Sequence, residues 1–162
     1  MTYQSLTSGT SIASCLPRMP ASVLIATDFS VSSTAALEQG RWLSERLGAY
    51  PEILHVVENH AADPWHRDPA AQMWISAAGL SDSSIVIRSG TPWVEIVRRA
   101  QDNGAVLLVV GSHGKSGFHP LRLGSTAERL GSAAPCPIVI VSSRAAPQAL
   151  RETRAALSQH RP

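Results

Sequence analysis

Short apolar runs punctuate the chain at Val23–Ala26, Ile53–Val57, Ile85–Ile87, Ala105–Val110 and Ile138–Val141. Each is too short for a buried helix and rich in β-branched residues or Leu, so each predicts a strand. Between them the apolar positions change to helical spacing. Ala36, Leu37, Leu43 and Leu47 define a helix over Ser32–Leu47, with a hydroxyl cap candidate before it and Gly48 as its stop. Pro92 opens another helix at its first position, with the stripe Trp93, Ile96, Val97 and Ala100, closed by Asn103-Gly104. Ser125–Ala134 reads as a third, with Ala127 and Leu130 inward and Pro135 as its end. Residues 58–84 carry only a weak helical pattern around Ala70–Ala78, interrupted upstream by Pro64 and Pro69, which leaves a second helix and one wall of any pocket open.

Strand and helix alternate throughout. That order calls for an α/β fold: an open five-stranded parallel sheet, Rossmann-like, with right-handed crossovers and helices on both faces. Ligands of such sheets sit beyond the carboxyl ends of the strands, where strand order reverses. The loops after Ala26, Val57 and Val110 are therefore the places to look for a site. Residues 1–20, rich in Ser and Thr and ending in Pro17 and Pro20, read as a flexible leader; residues 21–143 form the domain. Residues 144–162 form a polar tail with helical character at Gln148–Leu157.

Composition narrows the function classes. With 162 residues, 44% apolar and 16% charged, the chain suits one ordinary globular core. A formal charge of +2 with no basic run gives no electrostatic footprint for nucleic acid. No stretch approaches the roughly 20 apolar residues a membrane span requires. Cys15 and Cys136 suggest neither a metal motif nor a disulfide framework, which fits a reducing, cytoplasmic setting. Ile12-Ala13-Ser14-Cys15 has the look of a lipoprotein cleavage box, but residues 1–11 offer neither a basic start nor an apolar run.

The chemistry concentrates after the fourth run. Gly111-Ser112-His113-Gly114 is followed, nine residues later, by Gly124-Ser125-Thr126 at a helix start. Glycines let backbone N–H groups approach an anion, and the helix N-terminus adds unpaired N–H groups and the positive dipole end. Either half alone is equally explained by tight turns and a Ser125 cap; the two halves together after a buried strand point to a phosphate site. A P-loop is excluded because Val109 stands where its first glycine belongs, and a dinucleotide GxGxxG is excluded by His113.

This pattern of Gly, two residues, Gly, nine residues, Gly and Ser resembles that of the ATP-binding members of the universal stress protein family. The resemblance spans residues 21–143 and includes Asp28 after the first strand, His55-Val56-Val57, Gly90-Thr91-Pro92 and Ala134-Pro135-Cys136-Pro137. It implies strand order 3-2-1-4-5, a homodimer through the last strand, a regulatory role in stress response and an unspecified protein partner. It also implies ATP as ligand, with the turn Ala26, Thr27 and Asp28 near adenine and ribose and Val56 offering backbone contacts to the base. Gly111, Ser112, His113, Gly114, Gly124, Ser125 and Thr126 would surround the phosphates, with Lys115 a weaker candidate for offsetting their charge. Mg would arrive on phosphate oxygens and water, since no carboxylate cluster supplies a metal site.

Each assignment has a plainer counterpart. Asp28 equally suits a turn or helix cap, Val56 is a core residue on either view, and Lys115 suits a solvated surface. His113 is placed as a general base would be, but orienting the loop backbone is the preferred role. His119 reads as a solvated loop residue. Cys136 reads as packed, and Trp42, Trp65, Trp74 and Trp93 as core or interface residues. Binding without catalysis is favoured because no base, arginine finger or metal carboxylate pair stands out. The alternatives are a slow ATPase or phosphotransferase on the same loop, and a dimeric interaction module that binds no nucleotide.

Overall fold

A computed structural model describes residues 21–58, 69–80, 85–114, 122–142 and 144. The leader, the tail with its expected helix, Cys15, Trp65, Lys115 and His119 lie outside the described residues. The elements in chain order are β1 (Ser22–Thr27), α1 (Val31–Leu47), β2 (Tyr50–Val57), α2 (Pro69–Ala77), β3 (Ile85–Ser89), α3 (Pro92–Asp102), β4 (Ala105–Gly111), α4 (Ser125–Ala133) and β5 (Ile138–Val141).

The strands pair in parallel in the order β3-β2-β1-β4-β5. β1 and β4 are continuous apolar runs because both faces of the sheet are covered, so alternate residues feed two separate cores. Val23 and Ile25 of β1 pack under α1 and α2 with Leu107 and Val109 of β4. Leu24 and Ala26 face the other way, with Leu108 and Val110, under Ile96 and Ala100 of α3 and Ala127 and Leu130 of α4. The chain reverses direction across the sheet between β1 and β4, and this switch point fixes where a crevice opens.

Helix ends follow the residues at them. Ser30 caps α1 by accepting from the Ser33 N–H, and Gly48, at φ 60°, closes it in the left-handed conformation. Pro92 begins α3 as the sequence predicts. The helix left open by the weak pattern of residues 58–84 is present as α2. Ala71, Trp74 and Ile75 all lie on its buried side, a spacing that fits one helical face. Leu47, which the periodicity assigns to the apolar stripe of α1, is instead 55% exposed. It occupies the last helical position before Gly48, while Ser44 in the same last turn is buried. Trp42 is likewise exposed, with the Arg46 guanidinium 5.4 Å from its ring centroid.

Far from the carboxyl ends of the strands, Arg99 of α3 forks onto Glu52 of β2 with hydrogen bonds of 2.6 and 2.7 Å. Burial pushes the Glu52 carboxyl up, but the Arg99 hydrogen bonds and charge outweigh it and hold the group below its ordinary value. The same pairing raises Arg99. This bidentate contact ties α3 to the sheet and so fixes the helix whose first turn walls the crevice.

Candidate functional site

The site is assembled from two tight connections that hydrogen-bond to each other. β1 ends in Thr27, whose Oγ1 accepts the Phe29 N–H at 3.0 Å. The Asp28 carboxylate turns back to accept the Ser30 N–H at 3.0 Å, so the turn closes on its own side chains before α1 begins. Ser30 Oγ, while capping α1, also donates to the His113 carbonyl at 3.3 Å. The turn after β1 is thereby fastened to the loop after β4.

The second connection leaves β4 at Gly111. The Ser112 N–H donates to the Val141 carbonyl at the end of β5, and the Gly124 N–H donates to the Ser112 carbonyl, each at 2.8 Å. The first bond ties the loop to β5, and the second draws together the two glycine-bearing arms, whose glycines 114 and 124 are ten positions apart in sequence. Ser112 itself is buried, and its Oγ lies 2.9 Å from His113 Nδ1. A Cβ at Gly111 would stand 2.7 Å from Ser32 Cβ and 2.8 Å from the Ser32 carbonyl carbon, so α1 can lie this close only over glycine. A Cβ at Gly114 would stand 2.8 Å from Asp28 Oδ2.

α4 begins between these arms. Gly124 is its N-cap, with no side-chain cap bond, and Ser125 is already inside the first turn. The plainer reading of Ser125 as the cap is therefore not the arrangement found. The first intrahelical bond at this end runs from the Glu128 N–H to the Gly124 carbonyl, so the N–H groups of Ser125, Thr126 and Ala127 precede any intrahelical acceptor.

A cavity of about 500 Å³ opens at this junction. Leu54, Val56, Ile96, Val110 and Ala127 give it apolar lining, and Gly111, His113, Gly114, Gly124, Ser125 and Thr126 line it where the β4 loop meets the start of α4. Ala26, Thr27, Asp28 and Ser33 lie on the β1–α1 side, and Glu58 follows β2 at the rim. The arrangement suits a flat apolar group joined to an anion: the apolar lining suits the former, and backbone N–H groups at a helix N-terminus suit the latter. Of the residues singled out from sequence, ten line the cavity: Ala26, Thr27, Asp28, Val56, Gly111, His113, Gly114, Gly124, Ser125 and Thr126. Ser112 works behind the surface, where it holds the two arms together.

His55 lines the cavity without having been singled out as more than a motif residue. Its Nδ1 sits 2.8 Å from the Thr27 carbonyl, which requires the proton on that nitrogen, and its ring lies 4.4 Å from that of Phe29. Ser33, Leu54, Val57, Glu58, Pro92, Ile96, Val110 and Ala127 also face the cavity. The available signal was positional. Pro92 and Ile96 occupy the first turns of α3, Ala127 the first turn of α4, and Val57 and Glu58 the end of β2, all at the edge where the sheet expects a ligand.

The model of the family described as the universal stress protein family matches residues 19–142. The chain belongs to that family. Within it, universal stress protein YxiE of Bacillus subtilis is 38% identical over 56 residues, a stretch covering 35% of this chain and 38% of that relative. The chain thus aligns in sequence with well under half of that relative's length. The fold match is broader. Universal stress protein UspA from Lactobacillus plantarum superposes with a TM-score of 0.57 at 22% identity, covering 76% of this chain and 99% of that one. A universal stress protein solved in complex with cAMP superposes with a TM-score of 0.55 at 25% identity, covering 78% of this chain and 99% of the other. Family membership agrees with the parallel sheet of order β3-β2-β1-β4-β5 and with the crevice at its switch point.

Proposed function

We propose that the chain is an adenine-nucleotide-binding universal stress protein, with ATP as the preferred ligand and regulation as its role. The observation that carries this reading is a cavity that combines an apolar lining of Leu54, Val56, Ile96, Val110 and Ala127 with the unpaired backbone N–H groups where α4 begins. The base would lie against the apolar lining near Val56, the ribose near Asp28, and the phosphates at Gly114, Gly124, Ser125 and Thr126. Gly111 and Ser112 support that end through packing and the Gly124 hydrogen bond. Lys115 would add a counter-charge, and Mg would come with the phosphates. That a family member is solved with cAMP supports an adenine nucleotide as the class of ligand.

Binding, with occupancy altering what a cytoplasmic partner or a second copy across β5 encounters, is preferred over turnover. His113 has its Nδ1 beside Ser112 Oγ and its carbonyl held by Ser30, which suits an orienting role. Calorimetric titration of nucleotide-free protein with ATP and Mg, beside cAMP, tests the reading; ATP binding that is lost in a folded Gly124→Val variant supports it. Absence of binding by folded parent protein favours the interaction-module alternative. Sustained phosphate release abolished by Gly114→Val favours the ATPase alternative.

A further inference from the structure

One residue next to the cavity has a backbone its side chain does not favour. Phe29 has φ 61°, and among the described residues it alone combines a positive φ with a side chain. Its ring is 1% exposed and is wedged between two others, 4.4 Å from His55 and edge-on to Trp74 at 5.4 Å. Phe29 does not line the cavity, but it sits between Asp28, which does, and Ser30, which bonds to the lining residue His113. Asp28 precedes it, with Oδ2 directed at Gly114, and Ser30 follows it, bonded to the His113 carbonyl.

We propose that Phe29 is the positioning residue of this site: burying its ring between His55 and Trp74 holds the β1–α1 turn in the left-handed form that presents Asp28 to Gly114 and Ser30 to His113. The inference deepens the nucleotide reading and rests on it. The anchor reaches the cavity from the other face of the sheet. Trp74 belongs to α2 and to the core beneath α1 and α2, whereas the cavity's apolar wall belongs to the core beneath α3 and α4. Displacing α2 therefore loosens the turn, and nucleotide affinity becomes linked to how α2 is held.

A competing account makes the turn self-sufficient. The bonds from the Phe29 N–H to Thr27 Oγ1 and from the Ser30 N–H to Asp28 Oδ1 would fix it whatever the ring does. The two accounts order substitutions oppositely. Glycine is the residue best suited to φ 61°, so a backbone-only turn tolerates Phe29→Gly better than Phe29→Leu. A turn held by its ring prefers Phe29→Leu, which refills the slot, to Phe29→Gly, which empties it.

The experiment is calorimetric titration of parent, Phe29→Gly, Phe29→Leu, Trp74→Phe and Trp74→Ala with ATP and Mg, at a temperature where circular dichroism shows each folded. Phe29→Gly is expected to weaken binding by about tenfold or more, Phe29→Leu by less, and Trp74→Ala by several-fold with Trp74→Phe near parent. Val139→Ala, in the same core but on β5, serves as the control that loses stability without losing affinity. Affinity retained in Phe29→Gly, or lower in Phe29→Leu than in Phe29→Gly, overturns the inference while leaving the nucleotide reading intact. If the Phe29 variants do not fold, equal affinities of Trp74→Ala and Trp74→Phe overturn it. No binding by folded parent removes both.

Discussion

Alanine substitutions at Gly111 and Gly124 separate the two jobs that glycine does in this loop. At Gly111 an added Cβ meets Ser32 Cβ at 2.7 Å, the Ser32 carbonyl carbon at 2.8 Å and the Ser33 nitrogen at 2.9 Å. Two of these atoms are backbone in the first turn of α1, so no rotamer change relieves the clash. The helix must retreat by several tenths of an ångström from β1 and β4, which it covers. Overpacking of this kind costs about 1–3 kcal/mol, which lowers Tm by roughly 4–12 °C in a domain of this size. At Gly124 the added Cβ meets nothing nearer than 3.4 Å, and φ −63° with ψ 150° is open to any residue. The expected cost there is only the modest N-cap difference between Gly and Ala, about 1 kcal/mol or less. Gly124→Ala nevertheless places a methyl group where the proposed phosphates approach, so its effect falls on ATP binding. Thermal and urea unfolding, followed by titration, read both variants. Unfolding of Gly111→Ala within experimental error of parent refutes the packing argument, as does a Gly124→Ala variant less stable than Gly111→Ala.

The other expectations concern the frame around the site. Ser30→Ala removes the α1 cap and the tie to the His113 carbonyl together, which should cost about 1 kcal/mol in urea unfolding and weaken ATP binding as well; unchanged affinity would separate the tie from the site. Glu52→Gln should destabilise the fold by about 1–2 kcal/mol at neutral pH by disrupting the bidentate Arg99 contact. Because the folded-state value of Glu52 lies below 4.5, its contribution is full above that pH and is lost as pH falls through the folded-state value. Parent and Glu52→Gln unfolding curves should therefore converge in acid, and a gap that widens there contradicts the assignment. Leu130→Ala, on the buried face of α4 at 0% exposure, should cost about 2–5 kcal/mol by chemical denaturation; a loss under 1 kcal/mol would place α4 differently.

The strands and three of the helices were legible because their signals are local. β1 and β4 are apolar on both faces, and α3 has its proline at the start and its stripe at helical spacing. α2 was faint for a physical reason. It is short, begins at Pro69, and rests its case on Ala71, Trp74 and Ile75, whose burial depends on the sheet beneath and not on a repeating pattern. Leu47 misled in the opposite direction, since helical spacing does not say which residue of the last turn still meets the core. The glycine-bearing loop stood out in the sequence by its spacing, but the packing reason for Gly111 did not: its neighbour is Ser32, some 80 positions away, and only the fold brings them together. His55 hides in the same way. Within an apolar strand it reads as a core histidine, and its contact with the Thr27 carbonyl follows from the β1–β2 register, in which Thr27 and His55 are paired. The strained Phe29 leaves no trace in sequence at all, because an αL phenylalanine between Asp and Ser looks like any other.

We propose above that the cavity between β1, β2, β4 and the start of α4 takes an adenine nucleotide with its phosphates on α4. The most direct test is isothermal titration of purified, nucleotide-free protein with ATP and Mg, run beside Gly124→Val with both shown folded by circular dichroism. Saturable one-site binding by parent, lost in the variant, is the predicted result. No heat and no thermal shift with folded parent, or equal binding by both proteins, contradicts it.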